Sequence, residues 1–150
     1  MTRPLTSLTR VFAVVLGMCF CLQSSLADSV DGLSSDDRSA IRNVIESQMA
    51  AFQADDAHLA FSFAAPSIQH RFGDASRFIA MVKHSYMPVY RPREVEFSEL
   101  LDVRGKPAQR VVVVGPDNEV FSAYYMMEQQ PDGSWRIRGC ILRPIGDQSI

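Results

Sequence analysis

Apolar positions change their period once along this chain, and the change divides it into a helical half and a strand half. Ile41, Val44, Ile45, Met49 and Phe52 fall at helical spacing and form one stripe of a long first helix. Ser34, with Asp37 three residues on, makes a capping-box-like start, with Asp in place of the usual Glu. Acids in that first turn also suit the helix dipole. Asp55-Asp56 ends this helix and can cap the next, from Ala57 to Phe63, which presents Leu59, Phe61 and Phe63. Pro66 fits the first turn of a third helix, where its missing N–H costs nothing, and Gly73 suits its end. That helix carries Ile68 and Phe72. Asp74 caps a fourth, from Ala75 to His84, carrying Phe78, Ile79, Met81 and Val82. Pro88 and Pro92 then close the helical half, and no helix is expected to cross them.

Beyond Pro92 the period becomes two. Val95, Phe97 and Leu101 alternate between Glu94 and Val103, and Gln109 to Val114 is a β-branched run after the turn Arg104-Gly105-Lys106-Pro107. A second turn, Gly115-Pro116-Asp117-Asn118, leads to a long strand from Glu119 to Gln129 with Phe121, Tyr125 and Met127 on one side. Pro131-Asp132-Gly133 signals a tight hairpin, and Trp135, Ile137 and Ile141 alternate on the last strand. Pairing Gln130 with Ser134 sets Glu128 opposite Arg136 and Tyr124 opposite Cys140. Helices gathered before strands predict an α+β fold, with N-terminal helices packed on one face of a curved four-stranded antiparallel sheet.

Ahead of these elements stands a different pattern. Arg3 and Arg10 bracket a short positive segment, Val11 to Leu22 is apolar throughout, and Ser25-Leu26-Ala27 places small residues before a cut ahead of Asp28. This is the layout of a cleaved secretory signal peptide over residues 1–27, and it implies a periplasmic or secreted protein. The apolar run is too short for a spanning helix, which needs about 20 such residues. Met18 and Phe20 are bulky where lipidation at Cys19 or Cys21 would want a small neighbour. Cleavage leaves a short flexible lead over 28–33 and one domain over 34–150. A length of 150 residues has room for one domain and hardly more.

Charge and cysteine use narrow the partners. Loss of the leader removes Arg3 and Arg10 and no acid, so the formal charge goes from −2 to −4. A mildly acidic surface argues against nucleic acid and against anionic membrane after cleavage. Only Cys140 survives processing, so the domain has no internal disulfide and folds on its apolar core. Its apolar neighbours Gly139, Ile141 and Leu142 suggest a buried thiol.

Certain residues carry a likeness. The stretch Ala50-Ala51-Phe52-Gln53-Ala54-Asp55-Asp56 between two helices, with four strands after the helices, resembles the nuclear-transport-factor-2-like (cystatin-like cone) superfamily. Phe72-Gly73-Asp74, Pro88-Val89-Tyr90-Arg91-Pro92-Arg93, Gln109-Arg110-Val111 and Pro131-Asp132-Gly133-Ser134-Trp135-Arg136-Ile137 resemble an uncharacterised bacterial exported family, the domain-of-unknown-function 4864 proteins. The resemblance implies a cone-shaped fold and export. It implies no reaction, since one such scaffold hosts both enzymes and binders.

Chemistry has few footholds. There is no GxGxxG, P-loop, HExxH or Gly-x-Ser-x-Gly, and His58, His70 and His84 lack the short spacing of helix-borne metal ligands, so no metal and no cofactor are expected. The cone likeness makes an acid or histidine base in an apolar pocket worth considering, with Asp56 and His58 as catalytic candidates. Asp56 is equally explained as a helix cap. Tyr86, Tyr90, Arg91, Arg93, Tyr125 and Trp135 are the ligand-binding candidates. The arginines can clamp a carboxylate or phosphate beside the tyrosines, or pair with nearby acids, and the aromatics can line a pocket or fill the core. The leading expectation is a non-catalytic module for a small apolar ligand or a protein partner. The alternatives are an isomerase-, dehydratase- or hydrolase-like enzyme and a homodimer formed through the outer sheet face.

Overall fold

The computed structural model describes residues 30–146, so the expected leader over residues 1–27 and its expected cut site lie outside the described residues. Val30–Gly32 forms a 3-10 turn whose Val30 carbonyl accepts from Arg38 Nη2 at 2.7 Å, and Leu33 packs on the core. The described part of the lead is thereby held to the domain.

Among the described residues five α-helices precede the sheet: α1 (Ser35–Gln53), α2 (Ala57–Ser62), α3 (Pro66–Phe72), α4 (Ala75–Ser85) and α5 (Met87–Tyr90). The cap of α1 is a full capping box. Ser34 Oγ accepts from the Asp37 amide at 3.1 Å, and the Asp37 carboxylate accepts from the Ser34 amide at 3.1 Å. Pro88 does not close the helical half as expected. It sits in the first turn of α5, where a helix needs no N–H from it, so the proline starts the last helix.

Four strands follow, β1 (Glu94–Asp102), β2 (Pro107–Val114), β3 (Val120–Gln129) and β4 (Trp135–Pro144), in the order β1-β2-β3-β4 and antiparallel throughout. The architecture is α+β with helices gathered on one face of the sheet. At the β3–β4 hairpin Gly133 takes φ 83°, a left-handed value that suits glycine, and Gln130 donates its amide to Ser134 at 2.8 Å. Glu128 stands opposite Arg136 as expected.

Two irregularities bend the sheet and correct the expected register. In β1 the pairing slips between Phe97 and Leu100, so Leu100, rather than the expected Leu101, packs on the core along with Phe97. Buried Gln109 stitches this bulge by donating Nε2 to the Ser98 carbonyl at 2.9 Å. In β4 an extra residue, Arg138, separates Ile137, opposite Met127, from Gly139, opposite Met126. Tyr124 therefore faces Ile141 rather than Cys140, and Tyr125 faces Cys140. The slip reverses which side chains point inward. Cys140 and Leu142 pack on the core, while Ile141, expected inside, is 45% exposed.

The core lies between α1 and the concave sheet face. Ile41, Ile45, Met49 and Phe52 meet Val111, Val113, Ala123, Tyr125, Met127, Trp135 and Ile137, all buried. Each large apolar side chain so buried contributes about 1.5–3 kcal/mol. The α2–α3 connection covers the outer edge of β4: the Ile137 amide donates to Phe63 at 2.9 Å, and the Ala65 amide donates to the Ile137 carbonyl at 2.8 Å. Pinning this connection to the strand holds α3 beside the β4 bulge.

Candidate functional site

A cavity of about 330 Å³ opens between the helices and the bulged part of β4. Its helical walls come from Phe52 of α1, Ile68 and Phe72 of α3, and Phe78, Met81 and Val82 of α4, with Val89 of α5. Phe78 is the hub of this wall, with ring centroids 5.2 Å from Phe61, 5.7 Å from Phe72 and 6.2 Å from Phe52. Such aromatic contacts add about 0.5–1.5 kcal/mol each beyond burial and keep the wall rigid. Tyr125, Ile137, Arg138, Gly139 and Cys140 of the sheet close the other side.

Polar groups in this lining are few. Gln48 is buried on α1 and donates Nε2 to the Ala60 carbonyl at 3.0 Å. The Tyr86 hydroxyl donates to the Cys140 carbonyl at 3.0 Å, and desolvation raises its pKa above that of a free phenol. Tyr125 is 1% exposed, and its hydroxyl is the one enclosed side-chain polar atom among the described residues without a hydrogen-bond partner. Desolvation holds that hydroxyl protonated far above the ordinary tyrosine range. Cys140 is half-buried as a residue, yet its thiol is enclosed, and burial pushes its pKa up to about 12. A thiol held so far above neutral pH is a poor nucleophile. Arg71 and Arg138 also line the cavity and are exposed, which puts them at its mouth. Among the described residues neither has a carboxylate within ion-pair distance.

Of the residues singled out in the sequence, the fold brings Tyr86 and Tyr125 together in this lining and sends the others elsewhere. Asp56 caps α2 at the surface, its carboxylate accepting from the Leu59 amide at 2.9 Å, and His58 is exposed on the same helix. Neither reaches the cavity. Trp135 is buried and donates Nε1 to Asp37 at 3.1 Å, tying β4 to the cap of α1. Arg93 is exposed and holds its place through its amide, which donates to Val114 at 2.8 Å. Tyr90 and Arg91 turn to Asp55. The Tyr90 hydroxyl donates to one carboxylate oxygen, Arg91 Nη2 donates to the other at 2.7 Å, and Lys83 stands 3.7 Å away. This is a carboxylate beside a tyrosine hydroxyl, but it is surface-exposed, fully partnered and outside the cavity.

Sequence reasoning missed Arg71 and Arg138. Arg71 reads as a cation in the last turn of α3, where the helix dipole favours it. Arg138 reads as an ordinary outward strand residue until the bulge is known. The one available signal was Gly139, since a glycine interrupting a strand often marks a bulge.

Among the described residues no histidine, aspartate or glutamate lines the cavity of this α+β domain. The chain belongs to the family described as domain of unknown function DUF4864, which matches residues 34–150. No curated protein matches the chain. Among the described residues no group of His, Cys, Asp or Glu is placed to hold a metal ion, and no helix is long and apolar enough to cross a membrane.

Proposed function

We propose that this protein is an exported, non-catalytic binding module, built as a cone of the nuclear-transport-factor-2-like kind, that takes a small apolar ligand into the cavity beside the β4 bulge. The observation that carries this reading is the cavity itself, walled by Phe52, Ile68, Phe72, Phe78 and Val82 and closed on the sheet side by Tyr125, Ile137 and Cys140, with no carboxylate or histidine among the described residues of its lining. The cavity volume, about 330 Å³, lies at the small end of the about 300–1,000 Å³ typical of ligand pockets. Export is supported by the arginine-flanked apolar run and the Ser25-Leu26-Ala27 pattern. The cone reading is supported by the bulged sheet wrapped over α1.

Native mass spectrometry of the protein from its own exported fraction tests this reading. A co-purifying small molecule is expected, displaced in Ile68→Trp, which places a larger ring in the wall. A ligand-free native protein that also shows no thermal shift with any of a panel of small amphiphiles would overturn it. The same spectrum reads subunit count and so tests assembly through the outer sheet face.

A further inference from the structure

The geometry points to a ligand of one chemical class: an amphiphile with a single carboxylate head on an apolar body, its head held by Arg71 and Arg138 at the cavity mouth. This inference rests on the cavity reading and adds the charge and polarity of the occupant. The whole chain carries a formal charge of −2, yet no Asp or Glu lines the cavity, and its charged residues are both arginines. The other titratable groups of the lining, Tyr86, Tyr125 and Cys140, are all held neutral by burial. The site therefore presents only positive charge at its mouth and a neutral, mostly apolar interior behind it. Neither guanidinium is neutralised by a carboxylate among the described residues.

Competing occupants match this arrangement less well. A hydrocarbon leaves both guanidiniums without a counter-charge. A cationic amphiphile is repelled at the mouth. A neutral alcohol offers the arginines no counter-charge. A carboxylate matches a guanidinium in shape and charge, and two parallel N–H···O bonds are the strong form of that pairing. The Arg138 side of this clamp depends on the β4 bulge, which inserts that residue between Ile137 and Gly139 of the cavity lining. At about 30 Å³ per water-sized group, a volume of about 330 Å³ accommodates a body of about ten heavy atoms.

Isothermal titration of the ligand-stripped mature protein with decanoate, decanol and decyltrimethylammonium tests the inference. Decanoate is expected to bind at least about tenfold more tightly than decanol, with the cationic analogue weakest. In the double variant Arg71→Gln/Arg138→Gln, decanoate should weaken about tenfold to the level of decanol, while decanol binding is unchanged. Both side chains are exposed, so the variant should keep the native circular dichroism spectrum. Arg71→Lys/Arg138→Lys should restore part of the preference, and that preference should shrink with added salt. Equal affinity for decanoate and decanol, or a decanoate affinity indifferent to the double Gln variant, overturns the anionic head while the cavity reading stands. Absence of binding by all three, with no molecule retained by the native protein, overturns both.

Discussion

Two regions share Phe52 and treat their polar groups in opposite ways. Behind the C-terminal end of α1, the Asp55 carboxylate accepts from Tyr90 and Arg91 with Lys83 nearby, and Arg91 also donates to the Phe52 carbonyl and lies 4.1 Å from the Tyr90 ring centroid. Asp55 adopts a left-handed backbone at φ 56°, a conformation that Asp tolerates better than most residues. The result closes a helix end, satisfying one of the carbonyls left open there, and joins α1 to α5. On the cavity side, the same Phe52 ring faces a lining that holds a buried hydroxyl and two mouth guanidiniums without protein partners. A polar cluster whose members satisfy one another is a fastening. The cavity lining leaves its hydroxyl and guanidiniums without such partners, and this distinguishes the two clusters better than their similar composition of tyrosine and arginine.

The Phe52 ring centroid lies 5.6 Å from that of Tyr90 and the same ring lines the cavity, so removing it should damage both regions. Phe52→Ala is expected to lower unfolding free energy by about 3–5 kcal/mol, read from the urea midpoint. A loss under 1 kcal/mol would mean that the two regions do not lean on this residue. The enclosure of the cavity is next. With the Cys140 thiol pKa at about 12 against an ordinary value of about 8.5, alkylation of the folded protein at pH 8 should run about a thousandfold slower than in urea. Comparable rates in both states would show an open, wet lining.

The two tyrosine hydroxyls give a test of sign. Tyr90→Phe deletes a partnered hydroxyl and should destabilise the protein by about 1 kcal/mol. Tyr125→Phe deletes an unpartnered one and should leave the ligand-free protein unchanged or about 1 kcal/mol more stable. Equal losses in both variants would erase the contrast between the regions.

The smallest effect concerns acid. The hydrogen bond from Tyr90, then that from Arg91, lowers the Asp55 pKa below its ordinary value. The folded state therefore binds fewer protons than the unfolded one, and this stabilisation is present above the unfolded pKa and lost as pH falls through the folded value. Asp55→Asn should lower the melting temperature at pH 7 and flatten its fall in acid. Part of that fall should persist, because Asp37, Glu99 and Asp132 are also lowered, Glu99 to about 2. The change should be modest, since Asp55 is solvent-exposed. An unchanged acid profile would remove Asp55 from the fastening.

The periodicities that were legible in the sequence were local ones. The apolar stripe of α1, the Ser34 cap, the Asp56 and Asp74 caps, Pro66 at a helix start and the Gly133 hairpin each depend on neighbours a few residues away. Asp56 shows the ambiguity that remains. As a residue type between helices it could have been a cap or a base, and only its position at the surface assigns it to capping. Tyr86 and Tyr125 were recognisable as lining candidates, whereas Tyr90 and Arg91, adjacent on the chain, were drawn away by Asp55, distant in sequence and close in space.

The cavity depended on contacts that no local pattern contains. One extra residue in β4 reverses the facing of every side chain beyond it, because strand side chains alternate with a period of two. That single slip turns Cys140 inward and Ile141 outward and sets Arg138 in the lining. The chain alone therefore determined that helices would cover an antiparallel sheet, since propensity, capping and turn chemistry act over a few bonds. Which polar groups would be satisfied and which would face an opening was left to the packed structure, because register and partnering are properties of residues far apart in sequence that meet only after the chain has folded.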